Sequence, residues 1–247
     1  MKYYEKLLEK KCFSFKDVEK LVGGNQNTAK SILRQYVQKG YIQSIRKNLY
    51  VAISIETGMP AASAYQIASK ITPTSYVSHR SAFAYYGLVN QVSYEINVSS
   101  EMPFRQFGFE GVDYIYTSSR LPEGIIENHG VRVTDRERTV VDYINDFDHV
   151  GGIEELLRSL EMMTFLSEEK VLKYLALYNK AILYQKVGYL LEYFKDSLKL
   201  SDKFFDVCMQ KKGKSKRYFT ESMNRDRMIY NSKWAMMVPP DLLQMIE

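Results

Sequence analysis

GGNQNTAKSILRQYVQKGYI, residues 23–42, decides the fold of the N-terminal region. Its apolar side chains fall at the i, i+3, i+4, i+7, i+8 spacing of one helix face, and they are Ala29, Ile32, Leu33, Tyr36 and Val37. The opposite face carries side chains that are nearly all hydrogen-bond donors, with no acid among them: Asn27, Lys30, Ser31, Arg34 and Gln38. The stretch therefore predicts an amphipathic helix with an acid-free polar face.

The ends of this helix are marked by residues with strong end preferences. Asn25 is a natural N-cap, and the helix is predicted to end at Lys39, with Gly40 as the left-handed residue that follows. The pair Gly23-Gly24 predicts a tight turn just before the helix.

Two shorter helices are predicted upstream of the glycine turn, over residues 2–11 and 15–22. Ser14 is the N-cap of the second, and Asp17 stands three residues later at the capping-box position. The turn therefore separates two consecutive helices.

After Gly40, the runs YIQSI and LYVAI are rich in β-forming residues and are joined by Arg46-Lys47-Asn48. They predict a hairpin with a basic tip. The order helix, helix, glycine turn, helix and basic hairpin is typical of a winged helix-turn-helix. We therefore predict that residues 1–55 form a winged helix-turn-helix DNA-binding domain.

The chain changes character after the segment SIETGMPAA, residues 54–62, which mixes Gly and Pro with small residues and predicts a linker. Strands are predicted over 94–100, 112–119, 125–127 and 131–134, with a late strand that contains Trp234. Helices are predicted over 62–70, 78–86, 135–146, 153–163, 168–179 and 181–195 and from residue 202, with Ser78 and Asp135 as N-caps. The α+β mixture predicts a second domain over residues 60–247, with a helical C-terminal region.

The net charge of +5 is distributed unevenly along the chain. Residues 1–52 hold eleven lysines or arginines against four acids, and residues 203–233 hold nine against three. Residues 53–202 hold fourteen against twenty. Basic ends around an acidic middle indicate that only part of the protein meets a polyanion.

The acid-free face and the hairpin tip supply the candidate DNA contacts. Arg34 suits a bidentate contact to guanine, and Asn27 or Gln26 suits adenine. Small polar and basic side chains suit phosphate, and the hairpin tip is expected to reach the backbone or the minor groove. The full set is Asn25, Gln26, Asn27, Thr28, Lys30, Ser31, Arg34, Gln38, Arg46, Lys47 and Asn48.

A second basic run, KKGKSKR at residues 211–217, has two interpretations that the sequence leaves open. It is either a solvated linker or a second contact to DNA phosphates. The side chains concerned are Lys211, Lys212, Lys214, Lys216 and Arg217.

Other classes of protein are disfavoured by composition. No segment approaches the roughly 20 apolar residues of a membrane span, and the first residues do not lead into a signal peptide, which predicts a cytoplasmic protein. Cys12 and Cys208 are far apart and are predicted to be buried free thiols. The three histidines show no ligand spacing, so we predict neither a metal site nor a cofactor.

Two acidic pairs are candidates for parts of an enzyme site. Asp146 and Asp148 resemble the magnesium ligands of nucleotidyltransferases, but the chain contains no Gly-Ser dipeptide to hold the phosphates. Asp135 and Glu137 form half of a nuclease signature, but an arginine stands where a lysine is expected, and it cannot donate a proton at neutral pH. These acids suit a helix N-terminus better. The sequence predicts no catalytic residue and no enzyme.

Three stretches resemble the AbiEi family, the antitoxins and transcriptional regulators of bacterial abortive-infection systems: YVSHRSAFAYYGL at 76–88, VTDRERTVVDYI at 133–144 and GYLLEYF at 188–194. The short motifs within the resemblance are Ser78–Ala82, Thr134–Thr139 and a late Trp234 followed by Pro-Pro-Asp, which ends at Asp241.

This resemblance implies a winged helix followed by an antitoxin domain, in a repressor that binds repeats in the promoter of its own operon. It also implies an antitoxin that counteracts a co-expressed nucleotidyltransferase toxin in phage defence, with or without direct contact. The competing class is a metal-dependent nuclease or other nucleic-acid-processing enzyme that uses the same basic ends to hold its substrate.

Overall fold

The structure is a computed structural model that describes residues 2–118, 121–220, 227–240 and 242. The helices in these ranges are α1 Tyr4–Lys10, α2 Phe15–Leu21, α3 Gln26–Gln38, α4 Ala64–Ala68, α5 His79–Tyr85, α6 Arg136–Asp146, α7 Ile153–Glu161, α8 Glu168–Tyr178, α9 Ala181–Tyr193 and α10 Asp202–Lys211. The strands are β1 Cys12–Ser14, β2 Ile42–Arg46, β3 Leu49–Ala52, β4 Tyr76–Val77, β5 Glu95–Ser99, β6 Phe107–Phe109, β7 Val112–Thr117, β8 Ile125–Asn128, β9 Val131–Thr134, β10 Arg217–Tyr218, β11 Ile229–Asn231 and β12 Met236–Val238. The predicted α+β class is confirmed.

The chain forms two compact units. The first comprises residues 1–77, 94–119 and 127–133, and the second comprises residues 78–93, 120–126 and 134–247. The predicted domains, 1–55 and 60–247, are segments expected to fold independently. Grouping residues by their contacts in the folded chain does not test independent folding, so these domains stay a prediction.

The N-terminal part of the first unit combines α1, α2 and α3 with a three-stranded antiparallel sheet in the order β1-β3-β2. Strand β1 was not predicted, because three residues are too few to show an alternating pattern. The helices and the sheet share one apolar core built from Tyr4, Leu7, Phe13, Val18, Ala29, Leu33, Tyr36, Ile42 and Ala52.

The segment predicted to be a linker folds back on the end of β3. Ile53 and Pro60 form an antiparallel bridge, and the Ala61 amide donates to the Ala52 carbonyl at 2.8 Å. Gly58 has a φ of 70°, which glycine adopts without strain. The glycine and proline that suggested a linker therefore serve a tight return turn.

The rest of the first unit is organised by a six-stranded mixed sheet with the strand order β6-β7-β5-β4-β9-β8. Strands β5 and β7 run parallel, whereas β6 and β7 form an antiparallel hairpin. The predicted strands over 94–100, 112–119, 125–127 and 131–134 are confirmed as β5, β7, β8 and β9, and residue 119 lies outside the described residues. Strands β4 and β6 were missed, because they are only two and three residues long.

The second unit packs α5 to α10 around an apolar core that includes Val140, Leu157, Leu190 and Trp234. A small sheet with the order β10-β12-β11 belongs to it. The prediction that Trp234 lies within a strand is wrong. Trp234 lies in the turn before β12, where Asn231 Oδ1 accepts from its amide at 2.9 Å.

Most of the predicted helix ends in the second unit are confirmed to within two residues, and Asp135 is the N-cap of α6. Ser78 occupies the N-cap position of α5, but its side chain makes no capping hydrogen bond. Its hydroxyl instead contacts His79 Nδ1 at 2.8 Å. Asp241, at the end of the late motif, lies outside the described residues.

Within the described ranges, none of the helices combines the length and the apolar character needed to cross a bilayer. Both cysteines are buried free thiols, as predicted. Burial raises the pKa of Cys12 and of Cys208 to about 12 in each case.

Candidate nucleic-acid interface

The start of α3 is fixed by the turn and the cap that the sequence predicts. Gly23 and Gly24 have φ values of 77° and 85°, and the Gly24 amide donates to the Glu19 carbonyl at 2.8 Å, which closes the turn after α2. Asn25 Oδ1 then accepts from the Thr28 amide at 2.9 Å. The side-chain oxygen of Asn25 is therefore engaged in the cap.

Helix α3 has the two faces that its sequence predicts. Ala29, Leu33 and Tyr36 are buried in the core of the first unit. Val37, predicted on the same face, is 42% exposed, because it lies at the edge of the apolar stripe. The candidate DNA-contacting side chains of α3 are all exposed: Gln26, Asn27, Thr28, Lys30, Ser31, Arg34 and Gln38.

The turn between β2 and β3 exposes Lys47 and Asn48. Asn48 adopts a left-handed φ of 65°, a conformation that asparagine tolerates better than most residues. Its carbonyl accepts from the Phe15 amide at 3.2 Å, so the tip of the hairpin is tied to the start of α2. The two exposed side chains remain available to a partner.

Arg46, the third basic-tip candidate, is held by aromatic rings. Its guanidinium carbon lies 5.0 Å from the ring centroid of Phe107 and 5.7 Å from that of Phe104. Nη1 is buried and has no hydrogen-bond partner among the described residues. Nearby, Gln43 Nε2 donates to Glu110 Oε1 at 3.0 Å. No sequence signal connects residue 46 with residues 104–110.

A groove of about 530 Å³ runs between α3 and the β2–β3 hairpin. Lys30, Arg34 and Gln38 line it on the helix side, and Asn48 lines it on the hairpin side. Five further residues outside the candidate set give the groove apolar surface and two hydroxyl groups: Phe15, Leu33, Val37, Ser44 and Tyr50. The groove brings together candidates that lie ten residues or more apart in the chain.

The acid closest in sequence to this surface is internally satisfied. Asp17 accepts from the Ser14 amide at 2.8 Å and lies 3.6 Å from Lys10 Nζ. Burial acts to raise the pKa of Asp17, but the hydrogen bonds from Ser14 and the charge of Lys10 outweigh it and lower that pKa. Helix α3 has no acid in its sequence, so the groove side of α3 carries only positive formal charge.

The basic run at 211–217 lies in the second unit, between the end of α10 and β10. Lys212 Nζ donates to the Lys233 carbonyl, and Lys216 Nζ lies 5.7 Å from the ring centroid of Tyr230. Lys211, Lys214 and Arg217 are exposed. Part of the run is therefore engaged in contacts within the unit.

The two acids of the nuclease half-signature, Asp135 and Glu137, serve a structural role in the second unit. Asp135 Oδ1 accepts from the Arg138 amide at 2.8 Å, and Oδ2 accepts from the Tyr174 hydroxyl at 2.7 Å. Glu137 Oε1 accepts from the Ser167 amide at 3.1 Å. The interpretation of Asp135 as an N-cap and of Glu137 as a first-turn carboxylate is confirmed.

Arg138 anchors the same network, and its side chain is fully buried. Nε donates to Asp142 Oδ1 at 2.5 Å, and Nη1 donates to the Glu123 carbonyl at 2.5 Å. The Tyr178 hydroxyl donates to the same Asp142 oxygen at 2.6 Å.

Among the described residues, no three His, Cys, Asp or Glu side chains are grouped so that they could hold a metal ion.

Comparisons with known proteins place the fold without naming a family. No family model matches the chain, and no curated protein matches it. The chain is similar to the crystal structure of RV2827C protein from Mycobacterium tuberculosis, at a TM-score of 0.61 and 13% sequence identity. The match covers 95% of this chain and 89% of that one. At this identity, the likeness concerns the fold alone.

Proposed function

We propose that residues 1–55 form a winged helix-turn-helix in which α3 enters the major groove of DNA and the β2–β3 hairpin is the wing. The order α1, β1, α2, α3, β2, β3 is the topology that such a domain requires. The observation that carries the proposal is the exposed, acid-free face of α3 beside a groove lined by Lys30, Arg34 and Asn48. A merely solvated face mixes both signs of charge, whereas phosphates and base edges favour donors.

The groove suggests how the contacts are divided. Arg34 presents a planar set of donors that suits the two acceptors of guanine, and Asn27 suits adenine. Val37, exposed three residues after Arg34 on the same helix, offers apolar surface to the methyl group of thymine. Lys47 and Asn48 reach the sugar-phosphate backbone from the wing. Arg46 acts indirectly, because its contact with two phenylalanine rings holds the hairpin in place.

We further propose that the protein represses its own operon and is an antitoxin in a phage-defence system, acting in the cytoplasm. The resemblance of the stretches around His79 and Asp135 to the AbiEi family supports this role. The antitoxin activity is assigned to residues 60–247, and the toxin is a nucleotidyltransferase encoded beside it. The acidic balance of residues 53–202 fits a domain that does not bind DNA.

Footprinting of the purified protein on its own upstream region tests the repressor role. We expect protection of repeated sequences that survives competition by random DNA and is lost in Arg34→Ala. Co-expression with the neighbouring nucleotidyltransferase tests the antitoxin role, since the full chain should restore growth. Absence of any protected region would contradict the repressor, and cleavage of DNA or RNA that requires a divalent metal would favour the nuclease.

A further inference from the structure

A small polar pocket lies in the second unit and takes no part in the proposed DNA interface. It has a volume of about 160 Å³ and is formed by residues 89–91, by Gly151 and by one face of α7. On that face, Glu155 and Ser159 both line the pocket. They are four residues apart, so their side chains lie one above the other on the helix.

Both side chains carry an oxygen that the protein leaves unsatisfied. Ser159 is fully buried, and its Oγ has no hydrogen-bond partner among the described residues. Glu155 Oε1 is also buried and lacks a partner within the same ranges. Leaving a buried acceptor unpaired costs free energy, and the cost is larger for a charged group. The two oxygens therefore favour a ligand that donates hydrogen bonds.

The rest of the pocket holds Glu155 in place without using this oxygen. Arg80 Nε donates to Glu155 Oε2, and Arg80 Nη2 donates to the Gln91 carbonyl at 3.3 Å. Gly151 closes the wall: a Cβ at this position would lie 3.2 Å from Glu155 Oε2 and would collide with the Tyr143 hydroxyl. The arrangement directs one carboxylate oxygen to Arg80 and leaves the other for an occupant.

The charged side chains that line the pocket decide whether a cation or an anion fits. Glu154 and Glu155 line the pocket together with one basic side chain, Arg158. An anion would meet two carboxylates, and of the two unsatisfied groups only the Ser159 hydroxyl could donate to it, whereas both oxygens can accept from a cation. One water molecule occupies about 30 Å³ of liquid volume, so the pocket has room for a molecule of a few heavy atoms.

We propose that this pocket binds a small organic cation with N–H donors, an alkylammonium or an alkylguanidinium. Its N–H groups donate to Glu155 Oε1 and to Ser159 Oγ, and its short alkyl part lies against residues 89–91. A guanidinium is planar and donates in two directions at once, so it reaches both oxygens more easily than an ammonium does. The order of affinity is therefore methylguanidinium above 1,4-diaminobutane.

The test is calorimetric titration of the full-length protein with methylguanidinium chloride and with 1,4-diaminobutane, alongside sodium acetate and acetamide. We expect saturable binding of the two cations and none of the anion or the neutral amide. Amide NMR shifts at residues 89–91 and 151–159 should move with the same Kd.

Three variants locate the site. Ser159→Ala should weaken cation binding about three- to tenfold, the value of one hydrogen bond. Its melting temperature should not fall, since the hydroxyl it removes is unpaired. Glu155→Gln should weaken binding further, because it removes the charge. Glu161→Gln lies on the same helix, is exposed and does not line the pocket, so it should bind like the parent.

Several outcomes would overturn the proposal. Unchanged affinity in Ser159→Ala and Glu155→Gln would place the cation elsewhere. Preference for acetate or acetamide would contradict the assignment of donors. Absence of saturable binding by either cation would mean that the pocket holds water only.

Discussion

Trp234 rests directly on Gly188 of α9, and its indole ring occupies the space that a side chain at position 188 would need. A Cβ on Gly188 would overlap the ring, with Cε3 only 2.7 Å away. Two hydrogen bonds with residues of α9 on either side of Gly188 hold Trp234 in this position. Gln185 Nε2 donates to the Trp234 carbonyl at 2.9 Å, and Trp234 Nε1 donates to Glu192 Oε2 at 2.9 Å. Two motifs that are 40 residues apart therefore form one packing unit.

Gly188→Ala should destabilise the protein by about 1 to 3 kcal/mol, the usual effect of overpacking a filled core. Alanine favours helix over glycine by about 0.5 to 1 kcal/mol, so the clash has to exceed that gain. Trp234 is the only tryptophan in the chain, and its fluorescence follows urea unfolding at this contact. Gly213→Ala is the control, because its Cβ would meet neighbours at 3.5 Å or more. Equal stability of both variants would contradict the packing.

Base reading by α3 predicts a loss that depends on DNA sequence. Arg34→Ala and Asn27→Ala should each weaken operator binding by about 1 to 3 kcal/mol and random-DNA binding much less. Gln35→Ala is the matched control, because it is an exposed polar residue of α3 outside the candidate set. Affinities on both DNAs give the comparison. Equal losses on the two would assign Arg34 and Asn27 to phosphate.

The basic run at 211–217 is tested by salt dependence. Each phosphate contact contributes about −0.9 to the slope of log K against log salt. Changing its five basic residues to Ser or Gln should flatten the slope by roughly 2 to 4 units and should leave sequence preference intact. Lys47→Gln at the wing is the positive control and should flatten it by about 1 unit. If only Lys47→Gln changes the slope, the run makes no contact with DNA phosphates and the N-terminal domain binds DNA alone.

His79 should make the protein less stable in mild acid. Burial lowers its pKa below the usual 6.5 and Arg138 acts in the same direction, while the charges of Asp142 and Asp146 oppose them. The unfolded chain therefore takes up a proton on His79 that the folded chain resists. Protonation of His79 in the unfolded chain therefore lowers the free energy of unfolding as the pH falls through about 6.5 towards the pKa of His79 in the folded chain.

Unfolding by urea at several pH values between about pH 7 and pH 5 measures this effect. His79→Asn should flatten the decline, and asparagine tolerates the left-handed φ of 52° at this position. His129→Asn is the control, because His129 is exposed and has a similar φ of 48°. A decline of the same size in His79→Asn would remove His79 as its source.

Local signals accounted for most of the helices. The cap at Asn25, the capping box at Ser14 and Asp17, and the end at Gly40 all depend on contacts within four residues, so the sequence displays them directly. Ser78 looked like a cap for the same reason, but its hydroxyl contacts the imidazole of His79 instead. Such a competing contact is invisible in a pattern of residue types.

Contacts between distant parts of the chain were the ones that could not be predicted. The sequence predicts Arg46 at a basic hairpin tip that reaches DNA, and nothing in residues 44–48 reveals that Phe104 and Phe107 lie beside it. Strands β4 and β6 are too short to show the alternation of apolar and polar residues that marks a strand in a sequence. Their strand conformation depends on pairing with β5 and β7, respectively. The exposed face of α3 could be predicted because helical periodicity encodes it locally.

Arg46 contacts the Phe104 and Phe107 rings, and Gln43 donates a hydrogen bond to Glu110. These contacts fix the orientation of the β2–β3 hairpin before any partner binds. A free arginine loses rotational freedom when it docks, and that loss weakens binding. Here the ordering has already occurred during folding, so docking of the hairpin starts from a rigid surface. If the hairpin is the DNA-binding wing that we propose, less of the free energy gained by contacts at Lys47 and Asn48 is lost to ordering the hairpin. A substitution at Phe107, far in sequence from the proposed DNA contacts, should then weaken binding to an operator.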